Sequence, residues 1–130
     1  MEFKSDNDFH FFASQIMEQA VPGIAYIVDK DYNLVCCSKQ LRELADIEYV
    51  DEYKPAPHQK INQILAKSFG FSTEESEQFR LKDIEVMTNG KKTVDHINTH
   101  SNNLQIKSHY ECVREPWKLR NGCDVFVVLK

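Results

Sequence analysis

The apolar positions along the chain alternate between helical and strand-like spacing. Ile24–Val28 and Leu34–Cys37 are short apolar runs, and the polar residues Asp29 to Asn33 between them favour a turn. Before this hairpin, residues 6–20 carry apolar side chains at the three and four spacing of an amphipathic helix: Phe9, Phe12, Ala13, Ile16, Met17 and Ala20. The pattern therefore predicts a helix followed by a β-hairpin.

The middle of the chain has the spacing of helices. Ser38 is a suitable N-cap for a helix that runs to Ala45. The acidic segment 46–57 contains two prolines and is expected to be a loop. A second helix is predicted over His58–Phe69, because its apolar side chains share one face and Gly70 follows.

A third helix of this region has a strong start signal. Ser72 and Glu75 stand three residues apart, as in a capping box, and Asn89-Gly90 marks the end of the helix. Its expected apolar stripe consists of Phe79, Ile84 and Met87.

From Lys91 onward the apolar period changes to two, which is typical of strands. Lys91–Asn98 is one predicted strand, and Leu104–Glu115 is a second strand, which alternates clearly and ends at Pro116. Asn121-Gly122 predicts a tight turn into a last apolar strand, Cys123–Leu129. Two strands, several helices and three more strands indicate an α+β domain with a five-stranded antiparallel sheet.

Composition narrows the class of protein. The 130 residues carry a net charge of −4, with Lys and Arg scattered, so we expect no direct nucleic-acid binding. No apolar run is long enough for membrane insertion, and the polar N-terminus lacks the apolar core of a signal peptide, so a cytoplasmic protein is expected. Four cysteines lack the spacing of a zinc site and are expected to be buried, reduced thiols: Cys36, Cys37, Cys112 and Cys123.

Three segments together resemble a PAS domain. They are Val21–Asp31, Asp83–Lys91 and Tyr110–Trp117, the last followed by Gly122 and an apolar strand. The resemblance covers residues 21–130 and implies a sheet of strand order 2-1-5-4-3 with helices on one face. It leaves residues 1–20 as a flanking amphipathic helix of the kind through which such domains dimerise. The dimer-interface candidates are Phe9, Phe12 and Ile16; the alternative is that this helix packs on the sheet of its own chain.

The resemblance also implies a ligand cavity between the sheet and the helices. Strand alternation and the helical faces give its candidate lining: Tyr26, Val28, Ile64, Leu65, Phe79, Ile84, Ile106, Ser108, Tyr110 and Cys112. An ordinary filled core is the alternative, because most of these side chains are large. Ser108 and Tyr110 are the polar groups for which a ligand would be a partner.

The cofactors of related sensors are disfavoured by particular residues. The cysteine motif of flavin photosensors is missing, and residues 73–89, where the resemblance would place a haem-ligating His, contain no His. His58 is expected on the surface of a helix, and His96, His100 and His109 are expected to be solvated rather than to bind a metal. No phosphate loop, nucleophile elbow or metalloprotease motif is present.

The sequence therefore predicts a non-catalytic sensory module that binds a small molecule or a protein partner and relays a conformational change to an output domain of a longer protein. Two alternatives remain open. One is a ligand-free homodimerisation module, and the other is a small thiol-dependent enzyme built on Cys37 or Cys112.

Overall fold

A five-stranded antiparallel sheet forms the centre of the domain. The computed structural model describes residues 6–19, 23–119 and 122–130. The elements in chain order are α1 (Asp6–Gln19), β1 (Ile24–Val28), β2 (Leu34–Cys37), α2 (Lys39–Ala45), α3 (Ile61–Phe69), α4 (Thr73–Asn89), β3 (Thr93–Asn98), β4 (His109–Leu119) and β5 (Gly122–Leu129). The strand order is β2-β1-β5-β4-β3, which confirms the predicted fold class.

The hairpin of β1 and β2 is held by side chains that the sequence predicts for it. Asp29 Oδ1 accepts hydrogen bonds from the backbone N–H groups of Asp31 (3.0 Å) and Asn33 (2.9 Å). Ser38 Oγ accepts from Leu41 N at 3.3 Å, as an N-cap does, and also from Ala25 N at 3.1 Å. Ser38 therefore starts α2 and ties that start to β1.

Both faces of β1 are buried, so the sheet is covered on two sides at this strand. Tyr26 and its alternate neighbours belong to the core that α2, α3 and α4 share with the sheet. Ala25 and Ile27 point to the opposite face, where they pack with Ala13 and Met17 of α1. Part of the apolar face of α1 thus packs on the sheet of its own chain.

Helix α4, predicted from the Ser72 and Glu75 pair, has the expected capping box, but the set of side chains that it buries differs from the predicted one. Ser72 Oγ accepts from Glu75 N at 3.1 Å, and Glu75 Oε1 accepts from Ser72 N at 2.9 Å. Ile84 and Met87 are only half-buried at the margin of the core. The fully buried face instead consists of Ser76, Phe79, Asp83 and Val86.

Helix α3 begins later than predicted. It starts at Ile61, and His58 adopts a φ of 66°, in the left-handed region. A residue in that region cannot continue a right-handed helix. The prediction that His58 lies on a helix is therefore wrong.

The predicted strand Leu104–Glu115 is displaced toward the C-terminus. Residues 104–108 form local turns, in which Asn103 O accepts from Ile106 N at 3.0 Å and Asn103 Oδ1 accepts from Gln105 N at 2.9 Å. Such local bonds compete with the ladder of a strand. Ile106 is buried without being in a strand, whereas Leu104 is exposed.

Strand β4 also continues through Pro116 to Leu119, so the prediction that Pro116 ends it is wrong. Glu111 and Lys130 exchange both backbone hydrogen bonds, and the register places Pro116 opposite Val125 of β5. Because backbone groups alternate in direction, the nitrogen of Pro116 points away from β5. The nitrogen points to the side on which β3 pairs with β4, but this pairing extends only to Arg114. The proline therefore removes no hydrogen bond between strands.

The predicted turn at Asn121-Gly122 lies partly outside the described residues, and Gly122 is the first residue of β5. Among the helices that the structure describes, none combines the length and the hydropathy that a membrane span requires.

Candidate functional site

Most of the predicted cavity residues lie in the core between the sheet and α2, α3 and α4. Ile64 and Ile84 lie at the margin of this core. The ring of Phe69 on α3 stacks on that of Tyr110 on β4 at a centroid distance of 5.8 Å, so large side chains fill the space between helix and sheet there. The core itself contains Tyr26, Val28, Leu65, Phe79, Ile106, Tyr110 and Cys112.

The two predicted polar groups differ from the expectation. Ser108 precedes β4 and is exposed, so the prediction of a buried hydroxyl at this position is wrong. Tyr110 is buried, but its hydroxyl already accepts a hydrogen bond from Lys107 N at 2.9 Å. Neither hydroxyl needs a ligand as its partner.

The charged centre of the domain is an ion pair that the sequence analysis did not single out as a site. Arg114 of β4 and Asp83 of α4 are 1% and 0% exposed, and Arg114 Nε donates to Asp83 Oδ1 at 2.6 Å. Asp95 of β3 accepts from Arg114 Nη1 at 2.9 Å and from Lys82 Nζ at 2.7 Å. The ion network thus joins one helix to two strands and reaches the surface at Lys82.

Two tyrosines complete the ion network. The hydroxyls of Tyr26 and Tyr32 donate to Asp83 Oδ2 at 2.6 and 2.8 Å. Burial and the Asp83 carboxylate raise the pKa of both phenols. Both tyrosines therefore remain protonated donors at neutral pH.

The charges of the ion network follow from burial and pairing. Burial raises the pKa of Asp83, and its bonds with Arg114 and the tyrosines oppose that rise. Burial by itself would lower the pKa of Arg114, but Asp83 outweighs it and the pKa lies above its usual range. Burial likewise acts to raise the pKa of Asp95, but Lys82 and Arg114 outweigh it and lower the pKa.

A pocket of about 290 Å³ opens between α4 and β3, beside the ion network. We call it the α4–β3 pocket. Its apolar walls are Phe71, Phe79 and Ile97, and Arg114 and Lys82 are among its polar lining residues. Arg114 Nη2 is buried and has no hydrogen-bond partner among the residues that the structure describes. The guanidinium lies over the ring of Phe79, with Cζ 4.7 Å from the ring centroid.

A larger pocket, about 720 Å³, lies between α1, α2 and the loop after α2. Its main polar groups already have partners within the chain. Tyr49 Oη accepts from Cys37 N at 3.1 Å, and the guanidinium of Arg42 stacks on the Tyr49 ring at 3.8 Å. The α4–β3 pocket is therefore the stronger candidate site, because it contains a buried donor that lacks such a partner.

The three histidines that were expected to be solvated are exposed. The rings of His96 and His109 stack at a centroid distance of 5.4 Å, and His109 Nδ1 is 3.0 Å from Asn98 Oδ1. His100 Nε2 lies 3.7 Å from a carboxylate oxygen of Glu75 at the rim of the α4–β3 pocket.

The cysteine thiols are free, and three of them are buried as predicted, whereas Cys123 is only half-buried, so the prediction of burial is wrong at that position. Burial raises the pKa of Cys37 to about 11 and that of Cys112 to about 12. It also raises the pKa of Cys36 and of the half-buried Cys123. Because the thiolate is the reactive form, these environments oppose nucleophilic catalysis at neutral pH.

The dimer candidates lie on α1, and the sheet of the same chain covers part of this helix. Phe12 and Ile16 are half-buried, and Phe11 between the predicted positions is 59% exposed. The side chain of Phe9 lies outside the described part of the structure.

Comparison with known proteins shows the fold. No family model and no curated protein matches the chain. The solved PAS domain of BvgS from Bordetella pertussis superimposes with a TM-score of 0.69 at 12% identity, covering 95% of this chain and 85% of that chain. The PAS domain of an HTR-like protein from Haloarcula marismortui gives a TM-score of 0.50 at 11% identity, covering 95% and 92%. The chain therefore has the fold of a PAS domain, as the sequence resemblance implies.

Proposed function

We propose that this PAS-fold chain is a sensory module in which the α4–β3 pocket receives a small molecule. The observation that carries the proposal is Arg114 Nη2, a buried charged donor at the pocket without a partner among the described residues. An unpaired buried donor costs about 1–3 kcal/mol. A ligand that supplies the acceptor would recover this cost, and most of the binding free energy would come from the apolar walls.

The ion network supplies a route by which binding would act on the rest of the domain. Arg114 holds Asp83, and Asp83 holds the hydroxyl of Tyr26 on β1. The neighbours of Tyr26 on the opposite face, Ala25 and Ile27, pack against α1. A ligand that draws on Arg114 would thus bias contacts that extend from the pocket to α1.

The proposal includes a cytoplasmic location and an output domain in a longer signalling protein. The supporting likeness is to solved PAS domains that are each described as one domain of a named protein. Helix α1 packs on the sheet face opposite α4, so it is the element from which a change at the sheet would be passed on. The high pKa values of the buried thiols favour this role over that of a thiol-dependent enzyme.

Ligand binding is tested with a variant that blocks the α4–β3 pocket. Ile97→Trp places a large ring at the pocket wall, whereas Val94→Trp, on the same strand, changes a side chain that is 55% exposed and does not line the pocket. We expect a metabolite screen to yield a compound that raises the Tm of the wild type and of Val94→Trp by about 4 °C at ten times its Kd. The same compound should leave the Tm of Ile97→Trp unchanged.

Native mass spectrometry of the freshly purified protein provides a second readout, as an added mass that Ile97→Trp lacks. The sensory role fails if neither method finds a compound whose binding depends on the open pocket. Hydrogen exchange then follows the proposed route, with slower exchange expected in α4, β3 and α1 of the liganded protein.

We also propose that α1 forms a contact between two copies of the chain. The observation that favours a dimer is the aromatic surface of α1, where Phe11 is exposed beside the half-buried Phe12 and Ile16. This surface adjoins the outer face of the sheet, where the rings of Trp117 and Phe126 stack at 5.1 Å. The ligand-free dimerisation module remains the alternative function if no ligand is found.

Phe11→Glu is expected to convert a dimer into a monomer without unfolding it. The side chain is 59% exposed, so a charge at this position is tolerated in the monomer but not in an aromatic interface. Sedimentation velocity measures the change. Leu104→Glu, which changes another exposed apolar side chain far along the chain, is the matched control and should leave the sedimentation profile unchanged. Identical profiles for the wild type and Phe11→Glu would rule out an interface at Phe11.

A further inference from the structure

We infer that the α4–β3 pocket selects an uncharged ring compound whose carbonyl oxygen accepts a hydrogen bond from Arg114 Nη2. This inference rests on the sensory role proposed above and gives the chemical class of its ligand.

The positive charge of Arg114 is already compensated within the chain. Its Nε bonds to Asp83 at 2.6 Å, and its Nη1 bonds to Asp95 at 2.9 Å. Lys82 also bonds to Asp95, and Glu75 adds a third carboxylate at the pocket. Two cations therefore face three carboxylates, and an anionic ligand would meet net repulsion. A neutral acceptor can satisfy Nη2 without adding a charge.

Two histidines, His96 and His100, also line the pocket, and both are exposed. Free imidazole has a pKa of about 6.5, so the two ligand classes are compared at pH 8, where the comparison addresses the carboxylates, Arg114 and Lys82.

The walls of the pocket suit a flat ring. The centroids of the Phe71 and Phe79 rings are 5.7 Å apart, with an interplanar angle of 32°. Ile97 lines the pocket from β3. The volume of about 290 Å³ corresponds to about ten non-hydrogen atoms if each takes the roughly 30 Å³ of a water molecule in the liquid. This is the size of one substituted aromatic or heteroaromatic ring.

The free donor lies beside an aromatic wall of the pocket. Cζ of Arg114 is 4.7 Å from the centroid of Phe79, so the guanidinium makes a cation–π contact with that ring. Nη2 is buried, so a ligand acceptor reaches it only when a neighbouring side chain moves.

Benzamide and benzoate test the inference, because they have nearly the same shape and differ in charge. Each is titrated at pH 8 into ¹⁵N-labelled protein, and the amide and Arg114 Nε signals are followed by NMR. We expect benzamide to shift the Nε signal and amides of α4 and β3 with a Kd about tenfold below that of benzoate. Ile97→Trp should abolish these shifts, and Val94→Trp should retain them.

Asp95→Asn provides a variant in which the charge balance changes. Asp95 is partly exposed at the edge of the ion network, and asparagine keeps its shape. Removing one carboxylate should lower the ratio of the benzoate Kd to the benzamide Kd about tenfold. A ratio unchanged by this substitution would contradict the inference that charge excludes an anion.

The other outcomes separate the ligand class from the sensory role. Binding of benzoate equal to or tighter than benzamide overturns the neutral class, and so does binding of neither compound or binding that persists in Ile97→Trp. If a different compound from the screen still binds in an Ile97-dependent manner, the sensory role stands while the ligand class fails. If no compound does so, both fail.

Discussion

Replacing Asp83 by leucine is expected to lower the free energy of unfolding by about 3–5 kcal/mol, because it leaves a buried cation with only part of its compensation. Asp83 is fully buried and accepts from Arg114 Nε at 2.6 Å. The substitution also removes the acceptor of the Tyr26 and Tyr32 hydroxyls. Urea denaturation followed by circular dichroism measures the loss.

Two further variants show whether pairing is the cause. Glu77→Gln removes an exposed ion pair with Arg80 on the same helix and is expected to change stability little. In Asp83→Leu/Arg114→Met both charges are gone, so the double variant should be more stable than Asp83→Leu alone. A loss below about 1 kcal/mol in Asp83→Leu would mean that the ion pair contributes little to the fold.

Gly70→Ala is expected to destabilise the domain by about 3 kcal/mol, through a left-handed backbone and a steric clash. Gly70 ends α3 with a φ of 73°, and an added Cβ would lie 2.6 Å from the carbonyl oxygen of His100. The backbone there cannot withdraw freely, because His100 N donates to Phe69 O at 2.9 Å. Thermal and urea unfolding both measure the effect.

Gly90→Ala is the matched control for this clash. Gly90 ends α4 with a φ of 69°, but an added Cβ would meet only the Lys118 side chain at 3.8 Å. We therefore expect it to lose about 1 kcal/mol, the conformational cost alone. Equal losses of stability in the two variants would show that the His100 backbone moves away from residue 70 at little cost.

The elements that could be predicted from the sequence are those with signals inside them. The pair Ser72 and Glu75 predicts the start of α4, and both of its hydrogen bonds form. Asp29 and Ser38 predict the first turn and the start of α2 for the same reason, since each bonds to backbone groups a few residues away. Such contacts are short in sequence and do not depend on the rest of the fold.

The errors arose where tertiary context decides between local patterns. Residues 104–108 alternate like a strand, but Asn103 closes turns that the alternation does not reveal. Pro116 looked like a strand end, yet it is tolerated because β3 stops opposite Arg114. The partner of a strand is a property of the sheet and cannot be read from the strand itself.

The ion network was missed although the sequence contains a signal for it. Arg114 falls in alternation with Tyr110 and Cys112, on the face expected to be buried, and Asp83 follows Phe79 by four residues on α4. A charge on each of two buried faces suggests that the two are paired. The sequence does not show which carboxylate pairs with Arg114 or that one of its nitrogens lacks a partner. Both depend on the spatial positions of residues that are 31 apart in sequence.

Pro116 has a further consequence, for aggregation. Beyond the end of β3, the uncovered edge of β4 is where a strand of another molecule could add to the sheet. At this edge the outward backbone positions belong to Pro116, which has no N–H to donate, and to Lys118, whose charge is exposed. An incoming strand would lose a hydrogen bond and meet a cation that resists dehydration. The part of the sheet left open by β3 is thereby protected against intermolecular strand addition.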